Sequence, residues 1–499
     1  MHKNTKYPFQ KPSLKDDLFS QAHYICSMGK KRVERFENEL EVIDINAKGM
    51  GVAKTEEGAV CFIKKVVPGD VVDVRIYKKR RGYFEAEPTR WIQKSKQRTE
   101  PVCEHFGVCG GCKWQHLSYE GQLAFKEKGV LHNLKHIGKV ETKEVLPILG
   151  VTNPYYYRNK MEFSFSNNRW LTEEEIQTEE AIERNGLGFH KPGMWDKVVD
   201  VNHCHLQAEP SNAIRNAIRS YALENELEFF DPRQQTGFLR TLMIRNTLGG
   251  EVMILLQFFK EHKKNREALL DFLVSKFPEI TSLLYCINPK ANDSLYDQEV
   301  HCYHGQDFIT ESLEDLQFKI TAKSFFQTNP QQAKALYEIA KDFAALQAEE
   351  VVYDLYTGTG TIALSLAGSC AKIIGVESVP EAIDAAQENA LLNQVDNAHF
   401  EVGDMKTVFN ETFVARHGKA DVVITDPPRD GMHGDVVQQL IKLAPKKIVY
   451  ISCNSATQAR DLNLMKSKYE VLKSQAVDMF PQTHHVENVV LLQLRATNE

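Results

Sequence analysis

Cys453 follows an apolar run, KIVYIS, and precedes a polar, helix-like stretch, NSATQARDL. A free cysteine is among the most buried residue types, and packing accounts for most of them. At an open strand end a thiolate is instead an effective nucleophile. The surrounding sequence favours the second role. DLYTGTGTIALSLA reads as a strand closing at Asp354, a glycine turn through Gly358 and Gly360, and a helix. IIGVE closes a strand at Glu377, VGDM closes one at Asp404, and TDPPRDG closes one at Asp426 before a stiff Pro-Pro exit. Strands alternating with helices form a doubly wound α/β sheet, whose ligands sit at the carboxyl ends of the strands. Cys453 shares that edge with Asp354, Glu377 and Asp426. Glu487, opening the last strand in HHVENVVLL, can serve as a base or be a plain surface carboxylate. His484 and His485 beside it have no assigned role.

The glycine turn lacks the third glycine of a dinucleotide fingerprint. Glu377 lies 21 residues after Tyr356, where a carboxylate suits two ribose hydroxyls. The pattern fits a nucleoside cofactor without a pyrophosphate: S-adenosylmethionine first, NAD second. Asp404 either reaches the adenine end of that cofactor or caps the next helix. The Asp-Pro-Pro turn makes a wall against which a planar base can be held. Arg429 follows it, where an aromatic would suit methylation of an exocyclic amine.

A second constellation is CEHFGVCGGCKWQH, which spaces Cys103-x5-Cys109-x2-Cys112, with Cys204 far downstream in VNHCHLQ. Three close thiols and one distant thiol make a four-sulfur site for zinc or an iron–sulfur cluster, and spacing alone does not choose. Cys26, Cys61, Cys286, Cys302 and Cys370 read as ordinary thiols.

A chain of 499 residues is too long for one core. Four segments are expected: an N-terminal extension (1–33), a barrel (34–94), an α+β central domain (95–328) and a Rossmann-like domain (329–499). Between Glu39 and Gln93, short apolar runs separated by glycine turns indicate an OB-type β-barrel. Its basic hairpin RIYKKRRGYF offers Tyr77, Tyr83 and Phe84 either for base stacking or for the barrel core. An acidic run between Thr172 and Arg184 reads as a solvated insertion. In the last domain, helices are expected over Gln331–Leu346, Thr361–Ala367 and Val379–Asn393. The fold class is thus multidomain α/β.

Hydrophobic residues at 42% and charged residues at 26% are globular values. No apolar run reaches the roughly 18 residues that span a bilayer, and the N-terminus lacks the apolar core of a signal peptide. A cytoplasmic protein is expected, starting at Met1 or Met28, monomeric and without an obligate protein partner. The formal net charge is −6. From Lys64 to Arg98, however, eleven Lys/Arg stand against four Asp/Glu, a local footprint for phosphate.

Together these residues resemble the RNA (uracil-5-)-methyltransferases, in particular the bacterial 23S ribosomal RNA branch, over nearly the whole chain after Met28. The resemblance implies that the barrel is an RNA-binding TRAM domain. It implies that Cys103, Cys109, Cys112 and Cys204 hold a [4Fe-4S] cluster. SFFQTNP matches a motif in which Gln327 contacts S-adenosylmethionine, and Tyr356, Glu377, Asp404 and Asp426 fall on further cofactor positions; Gly358 joins them from the glycine turn. SCN carries the nucleophile, Cys453, and HVENVVLL the base, Glu487. Uracil carbon-5 does not take a methyl cation unaided; a thiolate adding to carbon-6 makes it nucleophilic. The implied partner is 23S ribosomal RNA. Ser455 stands where the family often has proline, which is expected to loosen the loop after the cysteine.

Overall fold

The protein is described here by a computed structural model that covers residues 35–496. The N-terminal extension, Cys26 and the alternative start at Met28 lie outside the described residues.

The first body is a six-stranded sheet in the order Arg35–Glu41, Val71–Arg80, Tyr83–Gln93, Val60–Ile63, Gly51–Lys54, Asp44–Ile45. Its strands alternate buried and part-exposed residues, as a sheet curled around one core must. Val72, Val74 and Ile76 on one strand and Phe84 and Ala86 on the next point inward with Leu40, Ala53, Cys61 and Ile63. Phe84 is therefore a core residue, not a base-stacking platform. Tyr77 lies beneath the Lys64 ammonium, 4.6 Å from the ring centre, and Tyr83 packs on Phe62 at 4.9 Å.

The central body is a seven-stranded sheet, ordered Met194–Asp200, Gly186–Lys191, Lys160–Ser166, Leu239–Asn246, Val252–Phe258, Ile280–Ile287, His301–Gly305. The run VMILLQF is buried along its whole length. Alternation explains this: Val252, Ile254, Leu256 and Phe258 pack with the helices Ser211–Glu224 and Lys263–Lys276. Met253 and Leu255 face the other way, into the core of the C-terminal domain. A strand covered on both faces is nearly all apolar; its one polar residue, Gln257, is satisfied by the Asn288 side-chain amide. The acidic insertion holds one short exposed helix, Glu173–Gln177, started by a Thr172–Glu175 capping box.

The C-terminal sheet has eight strands: Ala398–Val402, Lys372–Glu377, Val351–Leu355, Val422–Thr425, Lys447–Ser452, Glu487–Leu494, Tyr469–Val477, Thr142–Leu149. The first five are mutually parallel, and Glu487–Leu494 is antiparallel to both neighbours. Helices run over Pro330–Ala344, Thr361–Ala367 and Pro380–Leu392, close to the expected spans. Thr142–Leu149 departs from the expected division of the chain. This strand pairs in parallel with Tyr469–Val477, and Val130 and Leu134, before it, share a core with Ala459 and Leu462. So 119–149 packs with the C-terminal sheet, and a boundary at 328/329 does not separate the two bodies. The sequence of this strand, TKEVLPIL, half-exposed at a sheet edge, has too little apolar periodicity to announce its partner.

Candidate functional site

The carboxyl ends of the parallel strands build the site. Ser452, the last residue of its strand, pairs with Asn488 in an antiparallel register. One further step in that register sets Cys453 opposite Glu487. Asp426 leaves the adjacent strand, its N–H donating to the Leu355 carbonyl at 3.3 Å. Arg429 follows the two prolines. Its backbone carbonyl accepts from the Asn454 side-chain amide (3.0 Å) and from the Thr457 hydroxyl (3.1 Å). The loop of Cys453 is thus tied to the loop of Asp426.

Ser455 does not loosen this loop. Its hydroxyl accepts from the Asn133 amide at 2.8 Å, and Asn454 caps the helix Ser455–Met465 through the Ala456 N–H. Hydrogen bonds from a neighbouring element supply the restraint that a proline would give. No signal local to SCNS foretells a partner 322 positions earlier.

The electrostatics are those of a largely buried site. Burial, with the Glu487 and Asp426 charges beside it, pushes the Cys453 thiol up to about 11, while Arg429 opposes the rise. Glu487 is buried, and burial together with Asp426 holds its carboxyl well above the usual range, again opposed by Arg429. Asp426 is raised to about 7, by burial and then by the charge of Asp354. Asp354 is itself fully buried and raised to about 7; one oxygen accepts from the Thr357 hydroxyl at 2.5 Å and the other has no partner. A carboxylate that is poorly solvated is a stronger base once ionised.

A nucleoside cofactor fits the adjoining edge. Gly358 has φ +56°, and a Cβ there would meet nothing within 4 Å, so the turn opens onto free space. Gly360, at φ +81°, is needed for packing: a Cβ would lie 2.9 Å from the Phe400 ring. Tyr356 also holds a positive φ, and its phenol feels the charges of Asp404 and Glu377, which places these three together. Glu377 Oε1 accepts from the N–H groups of Ser378 (2.7 Å) and Val379 (3.1 Å), leaving Oε2 for a ligand. Asp404 caps the helix Met405–Val408, accepting from the Lys406 N–H at 2.9 Å. Gln327 arrives from the segment before Pro330–Ala344, its carbonyl held by the Asn159 amide at 3.2 Å.

Cys103, Cys109, Cys112 and Cys204 line one cavity of about 480 Å³ together with His105, Arg158, His203 and His205. The sequence places Cys204 far from the others; the fold brings it beside them. Among the described residues no group of three or more His, Cys, Asp or Glu stands in metal-ligating geometry. The chemistry of the donors nonetheless suits a thiolate-bound centre. Burial pushes Cys109 up to about 11 and Cys112 to about 12, and each thiol feels the others. Nearby backbone N–H groups work against the rise: His105 and Phe106 at Cys103, Gly111 at Cys109, Leu206 and Gln207 at Cys204. N–H donors aimed at sulfur favour the thiolate that a metal requires.

Sequence reasoning passed over Arg429 as a charge, noting only the missing aromatic. It also passed over Lys126 and Gln122, which are buried and reach the loop before Glu487. A buried lysine in an otherwise polar helix gives no periodic signal.

The sheet thus carries a glycine turn, an acidic strand end and a cysteine along one edge, and a barrel precedes it. The family model described as tRNA (uracil-5-)-methyltransferase matches residues 297–495, and the TRAM domain model matches 32–89. A Porphyromonas gingivalis protein described as an uncharacterized RNA methyltransferase is 51% identical over 461 residues, covering 91% of this chain and 99% of its own. One of the same description from Bacteroides thetaiotaomicron is 50% identical, covering 90% and 100%. The crystal structure of Pyrococcus abyssi tRNA (uracil-54, C5)-methyltransferase with S-adenosyl-L-homocysteine superposes with a TM-score of 0.70. It is 28% identical and covers 91% of this chain and 99% of that one. The chain belongs to the RNA (uracil-5-)-methyltransferase family. It is an S-adenosylmethionine-dependent RNA methyltransferase with an N-terminal TRAM domain. Among the described residues no helix is long and apolar enough to cross a membrane.

Proposed function

We propose that this chain methylates carbon-5 of a uridine in 23S ribosomal RNA through a covalent adduct on Cys453. The observation that carries this reading is the register that sets Cys453 opposite Glu487 beside Asp426. The target base is flipped out of its stack into the pocket, at least cost from a single-stranded loop. The Cys453 thiol loses its proton to solvent; the thiolate bonds to carbon-6, and the π electrons move toward carbon-5 and its carbonyl. S-adenosylmethionine, when bound, supplies the methyl group as a cation equivalent. Gln327, ahead of the helix Pro330–Ala344, and Tyr356, Gly358, Glu377, Asp404 and Asp426, at the strand ends, would hold it. Glu487, in its ionised form, then takes the carbon-5 proton. The freed pair restores the 5,6 double bond and expels the thiolate.

Cys103, Cys109, Cys112 and Cys204 would hold a [4Fe-4S] cluster, with zinc as the alternative, in a structural role that the reaction does not draw on. The barrel and the cysteine domain grip the RNA in the cytoplasm, and the chain acts as a monomer.

RNA containing 5-fluorouridine tests the chemistry, because fluorine does not leave as a proton. A methylated protein–RNA adduct is expected with the wild type and none with Cys453→Ala. An adduct surviving that substitution would sink the assignment. A second reading, a transfer-RNA substrate, is favoured by the likeness to the Pyrococcus abyssi enzyme. Mapping 5-methyluridine in ribosomal and transfer RNA from a deletion strain separates the two.

A further inference from the structure

Side chains from outside its own sheet hold much of the loop before Glu487. Asp478 accepts from Lys126 at 2.6 Å and from Tyr119 at 3.0 Å. The Met479 carbonyl accepts from Asn329, and that of Pro481 from Tyr157. The last anchor is Gln482, 3% exposed and at φ +66°. Its N–H donates to Gln122 Oε1 at 2.9 Å, and its Oε1 accepts from Gln122 Nε2 at 3.0 Å. Its carbonyl accepts from the N–H groups of Lys113 (2.8 Å) and Trp114 (3.1 Å). Gln122, 1% exposed, also donates to the carbonyls of Trp114 and Leu117. Only Thr483, His484, His485 and Val486 separate this clasp from Glu487. Lys113 is the residue after Cys112.

We propose that Gln122 is a positioning residue for proton abstraction: its reciprocal amide pair with Gln482 sets the loop that presents Glu487. The clasp fixes both the backbone and the side chain of Gln482 in a left-handed conformation that a non-glycine residue adopts only when its surroundings enforce it. It also joins the cysteine segment to the base, so order in the four-thiol region reaches the catalytic edge through two backbone hydrogen bonds. A small displacement of a general base costs rate only in the step that uses it. Methyl transfer depends on Cys453 and the cofactor edge, neither of which hydrogen-bonds to the Gln122–Gln482 pair.

The inference rests on Glu487 being the base, and the experiment keeps the two apart. Single-turnover reactions with uridine RNA and radiolabelled cofactor are followed for methyl transfer and for release of the covalent adduct. Three variants are compared: Glu487→Gln, Gln122→Leu and Gln482→Asn. Asparagine tolerates the positive φ but is too short to complete the pair. Gln122→Leu and Gln482→Asn should slow release at least about tenfold, with methyl transfer and cofactor affinity within about twofold. The double variant should be no slower than the worse single one. If Glu487→Gln does not accumulate adduct, the base assignment fails. If it does while the clasp variants release normally, or lose both steps together, the positioning role is wrong. Should Gln122→Leu not fold, Gln482→Asn alone decides.

Discussion

Cys453 and Glu487 stand across from one another where the strands Lys447–Ser452 and Glu487–Leu494 finish their antiparallel pairing. On the proposed mechanism that relationship puts the nucleophile and the base on adjacent strands, each group made reluctant to ionise by burial and by the negative charge around it. Cys453→Ala is expected to abolish turnover. Glu487→Gln should still transfer the methyl group and then stall, with release slowed by about 10²–10⁴, the usual contribution of a general base. Denaturing gels with labelled RNA check both; full turnover in Glu487→Gln would remove it from the mechanism.

Arg429 is the cation that opposes both rises. Its carbonyl ties the loops together, so replacing its side chain leaves those bonds. With the thiol pushed up to about 11, the thiolate fraction and the rate of adduct formation grow with pH across the neutral range. In Arg429→Gln the thiol rises further, so the rate–pH curve moves toward higher pH. A tenfold weaker thiol acidity would slow adduct formation about tenfold at pH ~7.5. Rapid-quench rates on 5-fluorouridine RNA read this, and an unmoved curve would deny Arg429 its role.

The strand ends were legible because they combine period, turn residues and acid groups at short range. KIVYIS, VVYDL and ENVVLLQL are apolar strands that both faces bury, and each has a residue with chemistry at or beside one end. What the sequence hid is long-range. Thr142–Leu149 joins the C-terminal sheet from the far side of the cysteine domain. Asn133 restrains Ser455, and Gln122 clasps Gln482 across 360 positions. Phe84 looked available among arginines and lysines, yet its strand phase puts it inside with Ala86. Phase within a strand depends on which face closes the barrel, and composition does not carry that.

Asp354 gives the fold a pH signature. Its carboxyl is raised from 3.8 to about 7, with burial the largest cause. Below about pH 4 it is protonated in both folded and unfolded chains and costs nothing. Between about 4 and 7 the unfolded chain releases the proton and the folded chain keeps it, so stability falls as pH rises; above 7 the penalty is constant. Asp354→Asn keeps an oxygen for Thr357 and removes the charge. It is expected to raise stability at pH ~7.5 by up to a few kcal/mol, since each tenfold difference in proton affinity between the two states is worth about 1.4 kcal/mol. At pH ~4 it should change little. Urea titrations at the two pH values test the sign.

The cysteine cavity makes a spectroscopic prediction. Protein purified without oxygen should be brown, with broad absorption near ~400 nm from thiolate-bound iron. A colourless protein carrying zinc would choose the alternative. Cys112→Ser should lower metal content and, because Lys113 and Trp114 hold Gln482, should slow adduct release more than methyl transfer. Metal analysis beside the two single-turnover rates reads both effects on one preparation.

Lys126 and Asp478 form an ion pair with both side chains fully buried. Lys126 also donates to the Phe480 carbonyl at 3.1 Å, and Tyr119 donates to the second oxygen of Asp478, so the loop before Glu487 leans on this pair. Removing one partner of a buried pair leaves the other charge without compensation and costs about 3–5 kcal/mol. Lys126→Met is therefore expected to lower unfolding free energy by that amount. Asp478→Asn leaves an oxygen for Tyr119 or the Phe480 N–H but strips Lys126 of its counter-charge, and is expected to cost a comparable amount. Lys126→Met with Asp478→Asn should recover part of the loss, because no buried charge remains at the pair. Chemical denaturation of the four proteins gives the coupling directly, and strict additivity of the two single effects would show that the pair does not act as a unit.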